Sequence, residues 1–139
     1  MLSTFHIIKS WFFLILLVFI CTASCGYALA SEELLQKAAA EMQAKNYLKA
    51  REFYREALIS PQIGPLADQA LFGLAQAEYL LKNYSESSLH LQRYVANKNA
   101  ERRNEALFML GSAQFFLNKP IDADRILATV GGDYADRAR

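Results

Sequence analysis

The sequence predicts an all-α chain in which a right-handed solenoid of about three helical hairpins follows an N-terminal export segment. Residue types recur at steps of 36 and 37 positions, and the segment from Trp11 to Ile20 contains no polar residue. The composition agrees, because 139 residues, 53% of them hydrophobic and 21% charged, make up one modest domain. A chain of this length is too short for a barrel enzyme or a two-domain dinucleotide enzyme.

The N-terminal segment has the three-part layout of an export signal. Lys9 precedes the apolar run, and Ala28 and Ala30 are small residues at the spacing that a signal peptidase accepts. Acidic residues follow directly, so the positive charge lies on the cytoplasmic side, as membrane topology requires. We therefore predict that residues 1–30 are a signal peptide cleaved after Ala30, and that the remaining chain is periplasmic or secreted.

Two other interpretations of this segment stay open. The stretch from Trp11 to Ala30 has about the 20 residues that span a bilayer, so it could remain as an uncleaved anchor. Residues 22–25 (TASC) could instead be a lipobox with Cys25 as the acylated residue, although threonine replaces the usual leucine. The chain would then be membrane-anchored, or an outer-membrane lipoprotein, with its repeats outside the cytoplasm.

Charge and cysteine content exclude further classes of function. Both cysteines, Cys21 and Cys25, lie in the N-terminal segment, so the rest of the chain has no disulfide, thiol nucleophile or cysteine metal site. An exported domain without disulfides depends on its apolar core, which is typical of bacterial periplasmic helical proteins. Lys9 is the only basic residue before residue 30. The rest of the chain carries equal numbers of acidic and basic residues, which gives no electrostatic case for a nucleic-acid partner.

Self-similarity divides the chain after residue 30 into three units. Four columns recur at steps of 36 or 37: Leu34, Leu71 and Leu107; Ala38, Ala75 and Gly111; Ala50, Ser87 and Ala123; and Tyr54, Leu91 and Leu127. A repeat of this length, in a chain rich in alanine, leucine, glutamate and glutamine, predicts helix-turn-helix units that stack into a solenoid. We place the units at residues 31–64, 65–100 and 101–130.

Polar turns and helix breakers set the predicted helix ends. Within the units the turns are Lys45-Asn46, Lys82-Asn83 and Asn118-Lys119-Pro120. Between and after the units the breakers are Pro61, Gly64, Pro65, residues 97–99 and Gly131-Gly132. Each turn is preceded by a helix of about 14 residues and followed by one of about 10 to 13, so we predict six helices and no strands.

The spacing of small and large residues resembles the tetratricopeptide repeat. Small residues face one another where antiparallel helices cross, and the larger columns fill the layers beside them. The residues that match the repeat's columns are Leu71, Leu74, Ala75, Tyr84 and Leu91 in the second unit and Leu107, Leu110, Gly111, Ala123 and Leu127 in the third. The resemblance covers residues 31–130, with Ser87, Tyr94 and Pro120 departing from the usual residue types. Its longer steps and exported context are similar to the bacterial periplasmic branch, which serves outer-membrane assembly, cell-envelope coordination and polysaccharide export.

No group of residues in the sequence has the pattern of a catalytic site. His90 is the only histidine after residue 30, and without cysteines it cannot form a usual zinc site. The sequence has no G-x-S-x-G motif, no phosphate-binding glycine loop and no dinucleotide fingerprint. Asp122 and Asp124 are two residues apart and point to different sides of a helix. We therefore predict a protein that is not an enzyme and that has neither a cofactor nor a metal site.

A second apolar stripe supplies the candidate binding residues. Apolar residues seven positions apart share one face of the first helix in each unit, because seven residues make two helical turns. They are Leu35 and Met42, Phe72 and Tyr79, and Phe108 and Phe115, and Phe116 follows Phe115 directly. In tetratricopeptide solenoids the first helices line a concave groove, so the resemblance implies a groove that binds a protein or peptide of the cell envelope. Nearby groove positions, Ala39, Gln76 and Ser112, lack the lysine and asparagine with which some of these repeats hold acidic peptide tails.

Other interpretations of this apolar stripe stay open. Its aromatic residues could pack between repeats as core, or be covered permanently by missing sequence or by a second copy of the chain. Residues 131–139 are too short for another hairpin, and we predict either a flexible tail or the start of a further unit there. The alternative function is therefore a structural oligomerisation or assembly segment, which could be the N-terminal part of a longer repeat protein.

Overall fold

Six helices and no strand make up the part of the chain that the structure, a computed structural model, describes: residues 30–61 and 63–131. The predicted signal peptide, with Ala28 and the alternative lipidation site Cys25, lies outside the described residues except for Ala30. The predicted tail lies outside them except for Gly131. Within the described residues, no helix is both long enough and apolar enough to cross a membrane.

The helices follow one another along the chain and are connected by short turns. They are α1 (residues 30–43), α2 (Tyr47–Ile59), α3 (Ala67–Leu80), α4 (Tyr84–Ala96), α5 (Arg103–Phe116) and α6 (Pro120–Leu127). A short 3-10 turn, Gly64–Leu66, precedes α3, with Pro65 inside it. The prediction of six helices without strands is confirmed for this part of the chain.

Each helix pair is joined by a turn with the same backbone geometry. Lys45, Lys82 and Asn118 have φ of 61°, 63° and 57°, in the left-handed region. The amide of the next residue in each turn donates to the carbonyl five positions earlier, as from Asn46 to Glu41 over 2.9 Å. This is the Schellman ending of a helix, in which glycine or asparagine is the usual left-handed residue. Because the chain reverses within such a short turn, successive helices lie antiparallel.

The small columns lie at the contacts between paired helices. Ser87 on α4 is fully buried, and its hydroxyl donates a hydrogen bond of 2.8 Å to the Ala75 carbonyl on α3. In the third pair, a Cβ on Gly111 would lie 3.4 Å from the carbonyl oxygen of Ala123. Small side chains therefore allow the two backbones of a pair to come close together, as the sequence pattern predicts.

Two apolar cores lie between successive helices. The first contains Leu35, Ala38, Ala50, Tyr54, Ala57, Ala70 and Leu74. The second contains Leu71, Phe72, Ala75, Leu91, Tyr94, Ala100, Ala106 and Leu110. The helix α3 contributes to both cores, so its buried residues go almost all the way round it, whereas α2 and α4 each bury one face. Sequential packing of this kind is consistent with a helical-repeat solenoid.

Candidate partner-binding surface

The structure divides the predicted stripe into a buried part and an open part. Leu35 and Phe72, at 3% and 4% exposure, belong to the two cores. Met42, Tyr79 and Phe108 are partly buried, and Phe115 and Phe116 are 64% and 52% exposed. The predicted residues thus do not form one continuous open groove. Their exposed members, Phe115 and Phe116, lie at the end of α5.

Two residues from the next segment of the chain cover Phe72. The Tyr94 ring lies against it with 5.1 Å between ring centroids, and the Arg102 guanidinium lies 4.4 Å from the centre of the Phe72 ring. Glu105 holds Arg102 in place through two hydrogen bonds, of 2.8 Å to Nε and 2.7 Å to Nη2. Phe72 is therefore a core residue of the contact between α3, α4 and α5, and offers little surface to a partner.

The exposed phenylalanines pack with two partly buried tyrosines, and we call the four side chains the aromatic cluster: Tyr79, Tyr84, Phe115 and Phe116. The Tyr84 and Phe116 rings stack with 4.5 Å between centroids and an interplanar angle of 15°. Tyr79 meets Tyr84 edge-on at 5.4 Å, and Phe115 meets Phe116 edge-on at 6.1 Å. Offset and edge-on pairs of this kind stabilise one arrangement of the rings. The cluster is therefore an apolar surface with a fixed shape rather than a set of loose side chains.

Tyr79 anchors this cluster to the helix beside it. Burial raises the pKa of the Tyr79 hydroxyl, and a side-chain hydrogen bond with Ser112 on α5 opposes that rise. Ser112 itself donates a hydrogen bond of 2.9 Å to the Phe108 carbonyl. The hydroxyl end of Tyr79 thus reaches α5, while its ring faces Tyr84 and Phe116.

A cavity of about 550 Å³, which we call the polar cavity, lies on the same side of α3. Ala39 of α1, Gln69 and Gln76 of α3, and Arg102 before α5 contribute to its lining. Gln69 and Gln76 make no hydrogen bond to another described residue through their side-chain amides. Gln76 is three positions before Tyr79, so on a helix surface the polar cavity and the aromatic cluster are neighbours. Together they present free amide groups beside exposed aromatic rings.

A buried ionisable pair lies elsewhere on α3. Glu78 is 1% exposed, with His90 Nε2 of α4 at 3.5 Å and Arg55 Nη2 of α2 at 3.8 Å. Glu78 Oε2 and His90 Nδ1 have no hydrogen-bond partner among the described residues. Burial raises the pKa of Glu78 to about 7, although the charges of Arg55 and Arg51 oppose the rise. Burial also lowers the pKa of His90, with Arg93 and Arg55 adding to that effect.

Glu78 was not among the residues predicted from the sequence, although the repeat contains a signal for it. Glu41, Glu78 and Gln114 form a further column at the same steps of 37 and 36. Each has a polar partner. Glu41 accepts from Asn46 Nδ2 at 2.8 Å, and Gln114 Nε2 donates to Ser88 at 2.8 Å. Glu78 and Gln114 are buried whereas Glu41 is partly exposed, so we interpret the column as polar contacts that join elements of the fold.

The fold and this surface together describe a stack of helical hairpins with an exposed aromatic cluster beside a polar cavity. Comparison with protein-family models, with curated proteins and with solved structures found no match for this chain. Among the described residues, no cluster of three His, Cys, Asp or Glu side chains is arranged to hold a metal ion.

Proposed function

We propose that the chain is an exported, non-catalytic scaffold of the tetratricopeptide type that binds a protein or peptide partner of the cell envelope. The observation that carries this proposal is the aromatic cluster, in which Phe115 and Phe116 stay more than half exposed although both are large and apolar. Exposed apolar patches on soluble domains commonly lie at interaction sites, and rigid aromatic side chains dominate binding energy at interfaces.

The polar cavity complements this apolar anchor. An extended peptide has backbone carbonyl and amide groups that need hydrogen bonds when a partner displaces water. The side-chain amides of Gln69 and Gln76 can donate and accept such bonds. A peptide laid across α3 would place an apolar side chain on the aromatic cluster and its backbone over the polar cavity. This revises the binding surface expected from the sequence, because Leu35 and Phe72 contribute little to it.

A structural assembly role is the second candidate, and one comparison between repeats favours it. Tyr79 and Phe115 are equivalent residues in successive units, and the ring of Phe116 from the third unit lies 6.4 Å from Tyr79 of the second. No equivalent ring from a further unit lies over Phe115 within the described residues, and Phe115 is 64% exposed. A further repeat or a second copy of the chain would cover it.

Photo-crosslinking from two matched positions distinguishes these functions. A benzophenone amino acid replaces Phe115 in one chain and Ile59, 77% exposed at the end of α2, in the control chain. We expect position 115, and not position 59, to crosslink a defined envelope protein that then binds the purified chain. Phe115→Lys should weaken that binding at least tenfold with unchanged helicity. A crosslink from position 115 only to a second copy of the chain would support the assembly role instead.

The export step has its own test. The intact mass of the protein isolated from the cell envelope distinguishes cleavage after Ala30 from lipidation at Cys25 and from retention of residues 1–30. We expect the mass of residues 31–139. A mass that includes residues 1–30 would contradict the cleavage and favour an anchor.

A further inference from the structure

The three hairpin turns lie along one edge of the molecule, which we call the turn edge and define as residues 43–49, 79–85 and 115–121. A cavity of about 350 Å³ is lined by residues 45–49 of the first turn and by Leu81 of the second, so these two turns are neighbours. The stacked rings of Tyr84 and Phe116 join the second turn to the end of α5. The turn edge is therefore one continuous surface.

Lysine is the prevailing charged residue of this edge, and Glu86 and Asp122 stand just beyond it at the positions equivalent to Lys49 in the second and third units. Its ionisable side chains besides tyrosine are Lys45, Lys49, Lys82 and Lys119. All four lysines are exposed, and none forms an ion pair with another described residue. The adjoining acidic residues are engaged: Glu41 accepts a hydrogen bond from Asn46, and Asp122 pairs with Arg125 at 2.6 Å. Glu86 lies one residue beyond the second stretch.

The opposite edge of the molecule differs in charge. It is formed by the ends of α2 and α4 and the starts of α3 and α5, and it mixes both signs: Asp68, Lys98, Glu101, Arg102, Arg103 and Glu105. The excess of lysine is thus a property of the turn edge rather than of the surface as a whole, which is neutral after residue 30.

The left-handed backbone of the turns does not select lysine, although a cation at the C-terminal end of a helix interacts favourably with the helix dipole. Lys45 and Lys82 occupy the left-handed position of a Schellman turn, where the third turn has Asn118. Asparagine or glycine fits that backbone with less strain than lysine does. The first two turns therefore keep a long cationic side chain at a position where a shorter, uncharged one would suit the backbone better.

Apolar side chains protrude between the lysines. Leu48 is 57% exposed, Leu80 43% and Ile121 84%, in addition to Phe115 and Phe116. Each of the three turns contributes at least one of these residues. The turn edge thus combines lysines and large apolar groups along its whole length.

We propose that the turn edge docks onto an anionic lipid membrane, with its lysines at the headgroups and its leucine, isoleucine and phenylalanine side chains in the interfacial layer. Lysines attract anionic headgroups, and apolar side chains at the same surface add burial in the acyl boundary. The long lysine stems can lie along that boundary while the ammonium groups stay in the headgroup region. A row of charges spread over three turns fits a broad anionic plane better than a narrow acidic peptide. This inference goes beyond the proposed partner binding: the turn edge includes the aromatic cluster, so membrane and partner would share Phe115 and Phe116, whereas the four lysines lie outside the polar cavity.

A single tryptophan at the turn edge reports docking in the full chain. Trp11→Phe removes the native tryptophan, and Phe116→Trp places one at the edge. Its fluorescence is recorded with vesicles of phosphatidylcholine alone or mixed with phosphatidylglycerol, both with brominated acyl chains that quench on contact. The N-terminal apolar segment is common to all variants, so differences between them report the edge. A matched chain has Ile59→Trp, on the opposite edge, in place of Phe116→Trp.

The lysines are tested by substitutions that suit their backbone. The triple variant has Lys45→Asn, Lys82→Asn and Lys119→Gln, and a control with a single charge removed has Lys98→Gln on the opposite edge. A lysine near an anionic membrane raises the affinity for that membrane about fivefold. We therefore expect the triple variant to lower the ratio of membrane-bound to free protein roughly a hundredfold. The control should leave the ratio unchanged, and circular dichroism should show equal helicity in all variants.

Membrane docking is supported if the indole of the Phe116→Trp chain is quenched in anionic vesicles only, if the triple variant loses that quenching, and if the indole of the Ile59→Trp chain is not quenched. Equal quenching in neutral vesicles, or quenching that survives loss of the three lysines, would overturn the proposal. A spectral shift of the Phe116→Trp chain with polyglutamate but not with anionic vesicles would also overturn it and assign the edge to an acidic protein. None of these outcomes depends on the crosslinking partner of Phe115, so the two proposals fail separately.

Discussion

The backbone of Gly73 on α3 lies directly against the ring of Tyr54 on α2, so that a Cβ at position 73 would overlap three carbons of that ring. Both residues are buried, and the ring is part of the first core. Glycine is unfavourable in a helix interior, and its use here reflects the close approach of α2 to α3.

We expect Gly73→Ala to lower the free energy of unfolding by about 1 to 3 kcal/mol, because overpacking outweighs the better helix propensity of alanine. Urea denaturation measures the change. In a Tyr54→Leu background the ring is gone, so Gly73→Ala should become neutral or stabilising there. Gly111 is a milder case, since a Cβ there would meet the flexible end of Leu127 at 2.6 Å. A stabilising Gly73→Ala in the parent chain would contradict the close packing of α2 on α3.

Alanine substitutions of the neighbouring serines Ser87 and Ser88 on α4 should have different effects on stability. Ser88 accepts a hydrogen bond of 2.8 Å from the buried Gln114 amide, whose oxygen has no partner among the described residues. Ser88→Ala would leave that amide unsatisfied at a cost of about 1 to 3 kcal/mol. Ser87→Ala should change stability by less than about 0.5 kcal/mol, because the Ser87 position holds alanine in the other two units and the freed Ala75 carbonyl stays in its helix. Thermal unfolding of the two variants makes the comparison, and equal losses would refute it.

Alanine substitutions of the two phenylalanines at the end of α5 should also differ in their effect on stability. Phe116→Ala removes the ring that stacks on Tyr84, and we expect a loss of about 1 to 2 kcal/mol. Phe115→Ala removes a ring that is 64% exposed, and we expect a change below about 0.5 kcal/mol. Chemical denaturation gives both values. If Phe115→Ala destabilised the chain as much as Phe116→Ala, Phe115 would be a packing residue rather than a binding one.

Glu78 should make stability fall as the pH rises. Its folded-state pKa of about 7 exceeds the ordinary value of 4.5, so the folded chain binds this proton more tightly than the unfolded chain. The unfolding free energy contributed by this group is therefore highest below about pH 4.5 and decreases between pH 4.5 and 7, by an amount on the order of 3 kcal/mol. Glu78→Gln, which places glutamine where Gln114 stands in the next unit, should remove this decrease.

His90 should change the stability with pH in the opposite direction from Glu78, and it therefore serves as an internal comparison. Its pKa is lowered in the folded chain, so its contribution is lost as the pH falls below the ordinary value of 6.5. Stability of Glu78→Gln should therefore rise with pH through this range, whereas the parent should not. The measurement is urea denaturation of both chains at a series of pH values. Parallel pH profiles for the two chains would show that Glu78 does not titrate as its burial requires.

The sequence was sufficient to predict the helices and the turns between them. Asn46, Asn83 and Asn118 fall in the three turns where local chemistry ends a helix, and the small columns identify the helix contacts. These features depend on residues close together in the chain, which is why a pattern of spacing can predict them.

Burial of the stripe could not be predicted in the same way. Spacing of seven residues places Phe72 and Tyr79 on one face of α3, but it does not say which part of that face another segment covers. Tyr94, a large residue where the resemblance expects a small one, packs on Phe72, and Arg102 covers the rest of that ring. The exposure of Phe115 depends likewise on whether another segment packs over the end of α5, which no local pattern contains.

The position of α3 between two cores has a consequence for folding. The described helices pack mainly on their neighbours in sequence, so the chain has few contacts between distant segments. Domains with such local topology fold quickly, in microseconds to milliseconds, and their units gain stability from adjacent ones. The amides of α3 should then exchange with solvent most slowly, and those of α6 early, because α6 buries a single residue. Folding would start at the centre of the stack and grow outward, and unfolding would begin at its ends.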